Sequence, residues 1–202
     1  MLPTLLPFLL FAFVAAITPG PTNILVLSHS AHFGFKAAIP IIFGACMGAA
    51  LIVLVVGCGF GQALIRLPML QLAMQWIGIL WLSYLAWQIF RAPVQAFNPQ
   101  SPDQVHYRLG LWAAGGLQLI NPKTWMMALA VSTVFAGSDS NRTAHVAVLS
   151  ITFLMISLPC LGVWALLGSG ATRFFRSPKM LKHLNPAFSI LLLISAWSVI
   201  WL

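Results

Sequence analysis

Lys123 is the one charged residue inside the long apolar stretches of this chain, and it follows Asn121 and Pro122 midway along one of them. A charge at that depth in a bilayer is expensive, and it persists where a partner or polar backbone receives it. Pro122 removes a backbone donor and frees groups that an unbroken helix would satisfy. A second polar interruption, Thr18-Pro19-Gly20-Pro21-Thr22-Asn23, lies at a similar depth in the first apolar stretch. Pro19 and Pro21 each lack an N–H and Gly20 tolerates unusual backbone angles, so the three predict about one unwound turn. Freed carbonyls can receive an ammonium group, while half-helix N-termini favour a carboxylate. Thr22 and Asn23 add side-chain donors and acceptors, Asn121 an amide and Lys123 a cation. The chemistry on offer is capture of one amino-acid zwitterion between the two breaks, its carboxylate toward Lys123. Paired interruptions at corresponding positions of two halves are a sequence pointer to a transporter's substrate site.

Such residues need a membrane-spanning frame, and the composition describes one. The chain is 60% hydrophobic and 6% charged, with a mean hydropathy of +0.96, whereas a soluble domain carries about 25% charged residues. Asp103 and Asp139 are the whole acidic inventory. The formal charge of +8 sits in short loops between apolar runs. That pattern anchors the cytoplasmic side of a membrane protein and argues against nucleic-acid binding. The N-terminus lacks the basic region of a cleaved signal peptide, and apolar sequence continues past any small-residue cleavage site, so it reads as a retained first span.

A span needs about 20 mostly apolar residues. Six segments qualify, at about 5–28, 38–64, 69–90, 109–135, 144–168 and 184–202. Sustained two-residue alternation is missing, which excludes a β-barrel. The expected fold is an all-α integral membrane protein forming a single transporter domain over 1–202. A polar linker at about 91–108, with Pro93, Pro99 and Pro102, divides half 1 (about 1–92) from half 2 (about 109–202). The loops after spans one, three and five hold Lys36, Arg91, Arg108, Arg173, Arg176, Lys179 and Lys182, against Arg66 and Arg142 after spans two and four. Seven against two places the odd loops in the cytoplasm and both termini in the periplasm. If the first segment were re-entrant, the N-terminus would change sides.

Three spans per half give the halves opposite polarity, so the six helices are expected to form two inverted three-helix repeats, with helices 1 and 4 broken at midplane. Ala86-Trp87 is echoed by Ala196-Trp197, and Cys46 has a counterpart in Cys160. Gly44 and Gly48 form a GxxxG that suits close helix packing. The five histidines lie in or near loops without ligand spacing, so no metal and no cofactor is expected. Prolines can merely kink a membrane helix, and Lys123 can serve only to cap unwound carbonyls. Snorkelling is a poorer account, since at about 1.5 Å per residue Lys123 lies about 20 Å from the Arg108 end of its stretch.

Thr18-Pro19-Gly20-Pro21, Gly34-Phe35, Gly44, Gly48 and Asn121-Pro122-Lys123 together resemble the LysE/RhtB superfamily of amino-acid exporters, over almost the whole chain. The resemblance implies efflux of amino acids or their derivatives across the bacterial inner membrane, driven by the proton motive force. Residues 17–28 followed by Gly34-Phe35 look most like the branch exporting cysteine, O-acetylserine, homoserine or threonine. In that family asparagine often follows the proline-glycine-proline directly, where this chain has Thr22 and then Asn23. A cationic substrate would call for an intramembrane carboxylate, and none is present, which favours small neutral substrates. The partners expected are a small zwitterionic amino acid, membrane lipid and protons as coupling ion, with a homodimer left open. Lys123 is the one candidate in the spans to link proton and substrate.

Two other classes compete. A membrane thiol–disulfide carrier would use Cys46 and Cys160, although neither has a neighbouring cysteine or base to activate it. A non-transporting membrane subunit would account for the packing glycines but not for the twin breaks. An intramembrane protease lacks its paired aspartates or serine–histidine pair.

Overall fold

The computed structural model describes residues 2–61, 66–91, 110–136, 141–174 and 178–197. Among them the chain is helical without strands, in eight α-helices: α1 (Leu2–Ile17), α2 (Pro21–Phe33), α3 (Phe35–Val55), α4 (Pro68–Arg91), α5 (Leu111–Leu117), α6 (Pro122–Ala130), α7 (Arg142–Phe174) and α8 (Pro178–Trp197). The linker expected at about 91–108 lies, beyond Arg91, outside the described residues, as do Asp103 and Asp139.

The breaks follow from proline chemistry. A residue before proline is driven out of the α region, and Thr18, Gly20 and Asn121 all precede one. Pro21 and Pro122 then occupy the first turns of α2 and α6, where a missing N–H costs nothing. Helices α1 and α2 meet at a bend of 52°. At the other end of α2, Gly34 adopts φ +83° and donates its N–H to Ser30 O at 2.9 Å, which joins α2 to α3 through one residue.

Two helical stretches, Phe35–Phe60 and Arg142–Gly170, are individually long and apolar enough to cross a bilayer, and the bent pair α1–α2 passes as a third. The six expected segments thus differ in kind. Helix α4 has 24 residues but carries Gln71, Gln75 and Gln88, which dilute its hydropathy. The fourth segment is split by a 3-10 turn at Gln118–Ile120 and the break at Asn121. An apolar stretch at Pro186–Trp197 closes the described chain.

The helices show stripes that would be untenable in water. Leu6, Leu10 and Val14 on α1 and Phe43, Met47, Leu51 and Val55 on α3 recur every four residues and are exposed. In lipid such stripes face their natural solvent. The opposite faces close three cores, built on Phe8, Val53 and Phe153, on Ile24, Leu85 and Leu192, and on Val26, Ile41 and Ala165. Helices α1 and α2 pack on α7, α3 packs on both α5 and α7, and α4 packs on α8. Gly44 sits so close to α5 that a Cβ would lie 2.0 Å from Leu111 O, and one on Gly48 would lie 2.6 Å from Gly115 O. Small residues are what allow this approach.

Helices α3 and α6 both end in π turns, at Val56–Phe60 and Val131–Phe135. Arg142, at the start of α7, donates from Nε to Gly57 O at 3.0 Å and from a terminal nitrogen to Ser132 Oγ at 3.1 Å. One side chain thereby ties the ends of three helices.

Candidate functional site

The first break frees three successive carbonyls, and each finds a different partner. Ala16 O accepts from Asn23 Nδ2 at 2.9 Å, Ile17 O from the indole of Trp164 at 3.1 Å, and Thr18 O from Lys123 Nζ at 2.7 Å. The Thr18 hydroxyl turns back to Val14 O. Because backbone polar groups at membrane depth must be satisfied internally, these bonds define how the unwound segment can exist there. Lys123 reaches it from the second break, so the two interruptions touch. A Cβ on Gly20 would lie 2.8 Å from Lys123 Cδ and 2.9 Å from Nζ, so glycine leaves the lysine its path.

The second break is capped differently. Asn121 Oδ1 accepts the Lys123 backbone N–H at 3.2 Å, as an N-cap side chain does. Its Nδ2 donates to Thr22 Oγ1 at 2.9 Å and to Gln118 Oε1 at 3.2 Å. The Trp125 indole covers Leu119 O at 2.8 Å. Gln118 is the hub. Its Oε1 also accepts from Thr124 Oγ1 at 2.8 Å, and its Nε2 donates to Thr22 Oγ1 at 3.2 Å and Ala114 O at 3.3 Å. Among the described residues, every buried side-chain nitrogen and oxygen has a partner. A connected network of this kind holds its members in one arrangement.

Between the breaks and helices α3 and α7 lies a cavity of about 40 Å³, room for about three waters at roughly 10–15 Å³ each. Thr22, Asn23, Gln118, Asn121, Lys123 and Thr124 make its polar end. Its apolar end is formed by Cys46, Ala49 and Phe153 among others. Of the nine residues expected to bind substrate, Thr22, Asn23, Asn121 and Lys123 line this cavity; Thr18, Pro19, Gly20, Pro21 and Pro122 shape the backbone around it. Thr22 stands at the centre of the network, and Asn23, one position on, supports the unwound turn. Sequence reasoning missed Gln118, Trp125 and Trp164. Gln118 had a signal, as an amide inside an apolar run three residues before Asn121.

Among the described residues, Lys123 is the only charged side chain on the wall of the cavity. Both α2 and α6 begin at the breaks, so the positive ends of two helix dipoles add to its charge. An ammonium carries three donors, and the bond to Thr18 O uses one. The arrangement can therefore hold a carboxylate; the Gln118 Oε1 and Thr22 Oγ1 oxygens close by already accept from within the network. Cys46 and Cys160 are free and buried.

Residues 13–201 match the LysE type translocator family. A cysteine/O-acetylserine efflux protein of Escherichia coli (strain K12) is 29% identical over 198 residues, covering 97% of each chain. The protein of that description from Salmonella typhimurium (strain LT2) is 31% identical over 196 residues, covering 94% of this chain and 96% of its own. Its counterpart from Salmonella typhi is 30% identical over 197 residues, 94% of this chain and 96% of that one. No solved structure gives a significant match to the chain.

Proposed function

The chain belongs to the LysE type translocator family, a family of transporters rather than enzymes, and we propose that it exports small neutral amino acids or their derivatives across the bacterial inner membrane. The observation that carries this reading is the single cation on the wall of a cavity that two broken helices share. The substrate carboxylate sits on Lys123 between the starts of α2 and α6, and its ammonium displaces a donor from the carbonyl and hydroxyl oxygens of the Thr22–Gln118 end, which the network otherwise fills. Among the described residues no carboxylate lines the cavity, so a cationic side chain finds no counter-charge there and a neutral one is preferred. The relatives' description as cysteine/O-acetylserine efflux proteins points to the same substrate class.

The transport frame is six spans in two inverted halves, with α1–α2 and α5–α6 as the broken first span of each. Support comes from the matching starts of α2 and α6 at Pro21 and Pro122, and from the crosswise packing in which α3 lies on α5 while α2 lies on α7. Both termini face the periplasm, as the distribution of basic residues requires. Alternating access is then a rocking of one half against the other around the fixed site. Protons drive the cycle, and Lys123 is the group through which proton and carboxylate are linked.

Removing one partner of a buried charge pair costs about 2–5 kcal/mol. Lys123→Met is thus expected to lower export at least about thirtyfold. In cells that overproduce the protein, cysteine and O-acetylserine released to the medium should fall to the level of the empty vector, with equal protein in the membrane fraction. Wild-type release from the Lys123→Met strain would refute the assignment.

A further inference from the structure

The cavity has a second half that the zwitterion does not use. Beyond the polar end its wall is made by α3 and α7, from Ala45, Cys46 and Ala49 on one helix and Phe153, Ser157 and Leu161 on the other. All six are buried. Five are apolar or only weakly polar, and Ser157 is the one hydroxyl among them. Its proton is committed, because Ser157 Oγ donates to Leu154 O at 3.1 Å within its own helix. The hydroxyl therefore presents its oxygen lone pairs. A hydroxyl oxygen has two acceptor sites, open to a donor arriving from the cavity.

We infer that this α3–α7 wall is the side-chain selector of the transporter, and that Ser157 recognises a substrate side chain ending in a hydroxyl or thiol donor. The inference rests on the amino-acid export reading and deepens it. With the carboxylate on Lys123, the α-substituent points away from the breaks, toward Ser157. A short –CH2–SH or –CH2–OH group brings its proton to the Ser157 oxygen. Phe153 and the two alanines bound the space, and since the whole cavity, polar end included, has room for about three waters, its far half admits a short side chain and refuses a long or branched one. O-acetylserine ends in an ester with acceptors only, so it fits this wall less well than cysteine, serine or homoserine.

The test compares cysteine with 2-aminobutyrate, which places a methyl where cysteine has its thiol. Purified protein in proteoliposomes, under reducing conditions, is assayed for counterflow of each. Wild-type protein is expected to prefer cysteine by about three- to tenfold, the worth of one neutral hydrogen bond. In Ser157→Ala the ratio should fall to about one. A second variant, Ala49→Val, fills the wall from α3 and should lower the ratio of homoserine to alanine transport at least about fivefold. An unchanged ratio in Ser157→Ala, or in Ala49→Val should Ser157→Ala prove inactive, overturns the selector. Loss of every substrate in both variants also overturns it, because a selecting wall leaves the smallest substrate moving. Wild-type protein that transports none of the four overturns the export reading itself, whereas an intact wild type with unmoved ratios overturns the selector alone.

Discussion

Replacing Gly20 by alanine separates the role of Lys123 in transport from its role in the fold. Gly20 has φ −159° and ψ 172°, extended backbone that alanine adopts freely. The substitution therefore acts only through the methyl it adds. That methyl would lie 2.8 Å from Lys123 Cδ and 2.9 Å from Nζ, where ordinary contact begins at 3.4 Å. The obstacle is the far end of a flexible side chain, so the lysine yields and the helices do not. Withdrawal by about half an ångström takes Nζ off Thr18 O, now at 2.7 Å, to the edge of hydrogen-bonding distance, about 3.2 Å. A hydrogen bond from a charged donor is worth about 1.5–3 kcal/mol, and each 1.4 kcal/mol is about tenfold. A displaced Nζ forfeits a charged hydrogen bond of the same worth to the substrate carboxylate, so half-saturation for exported substrate should rise about ten- to a hundredfold, read by counterflow in proteoliposomes. The internal bond to Thr18 O is lost as well, which at about 2–4 °C per kcal/mol should lower the melting temperature by about 3–12 °C without abolishing the transition. Wild-type half-saturation would show that the placement of Lys123 does not matter. A collapsed melting transition would show that the lysine holds the fold.

Three further outcomes are expected. Gln118→Leu leaves Thr22, Asn121 and Thr124 without their common partner; at about 1–3 kcal/mol per orphaned buried group, both melting temperature and transport should fall, and a merely local role would leave melting unchanged. Gly44→Ala drives a methyl to 2.0 Å from the Leu111 carbonyl, so α3 and α5 must separate at a cost of about 1–3 kcal/mol, while Gly162→Ala, with nothing within 4 Å, should melt like wild type. Asn23→Leu removes the donor to Ala16 O and should destabilise by about 1–3 kcal/mol in thermal melting, more than Asn23→Gln if the larger amide can still reach.

The breaks were legible because proline and glycine act through the backbone, and their effect does not wait on tertiary context. Lys123 was legible because a lone charge in an apolar run needs a partner; the identity of that partner, the Thr18 carbonyl, was not. Gln118 carries no charge and breaks no helix; an amide in an apolar run marks it as a polar intruder, but only the folded chain shows it as the hub that joins Thr22, Asn121 and Thr124. Trp125 and Trp164 read as two tryptophans among eight, and only the folded chain shows their indoles covering Leu119 O and Ile17 O. Arg142 read as a loop charge, yet it reaches back to Gly57 O and Ser132. The turn after α3 is marked by glycine, since Gly59 holds φ +127°, whereas the one after α6, Val131–Phe135, contains no glycine or proline to mark it. The breaks expected in the first and fourth segments are present as α1–α2 and α5–α6, while the second and fifth are single long helices. Hydropathy sums over a window and carries no sign of a bend's size, 52° between α1 and α2.

The central claim is that one lysine at the meeting of two broken helices holds the carboxylate of an exported amino acid. Counterflow of labelled cysteine into proteoliposomes, with and without a pH gradient, tests it most directly when wild type and Lys123→Met are compared at equal protein density. The account predicts rapid exchange by wild type, accelerated by the gradient, and none above protein-free vesicles for Lys123→Met. Equal exchange by the two proteins, or none by the wild type, would contradict it.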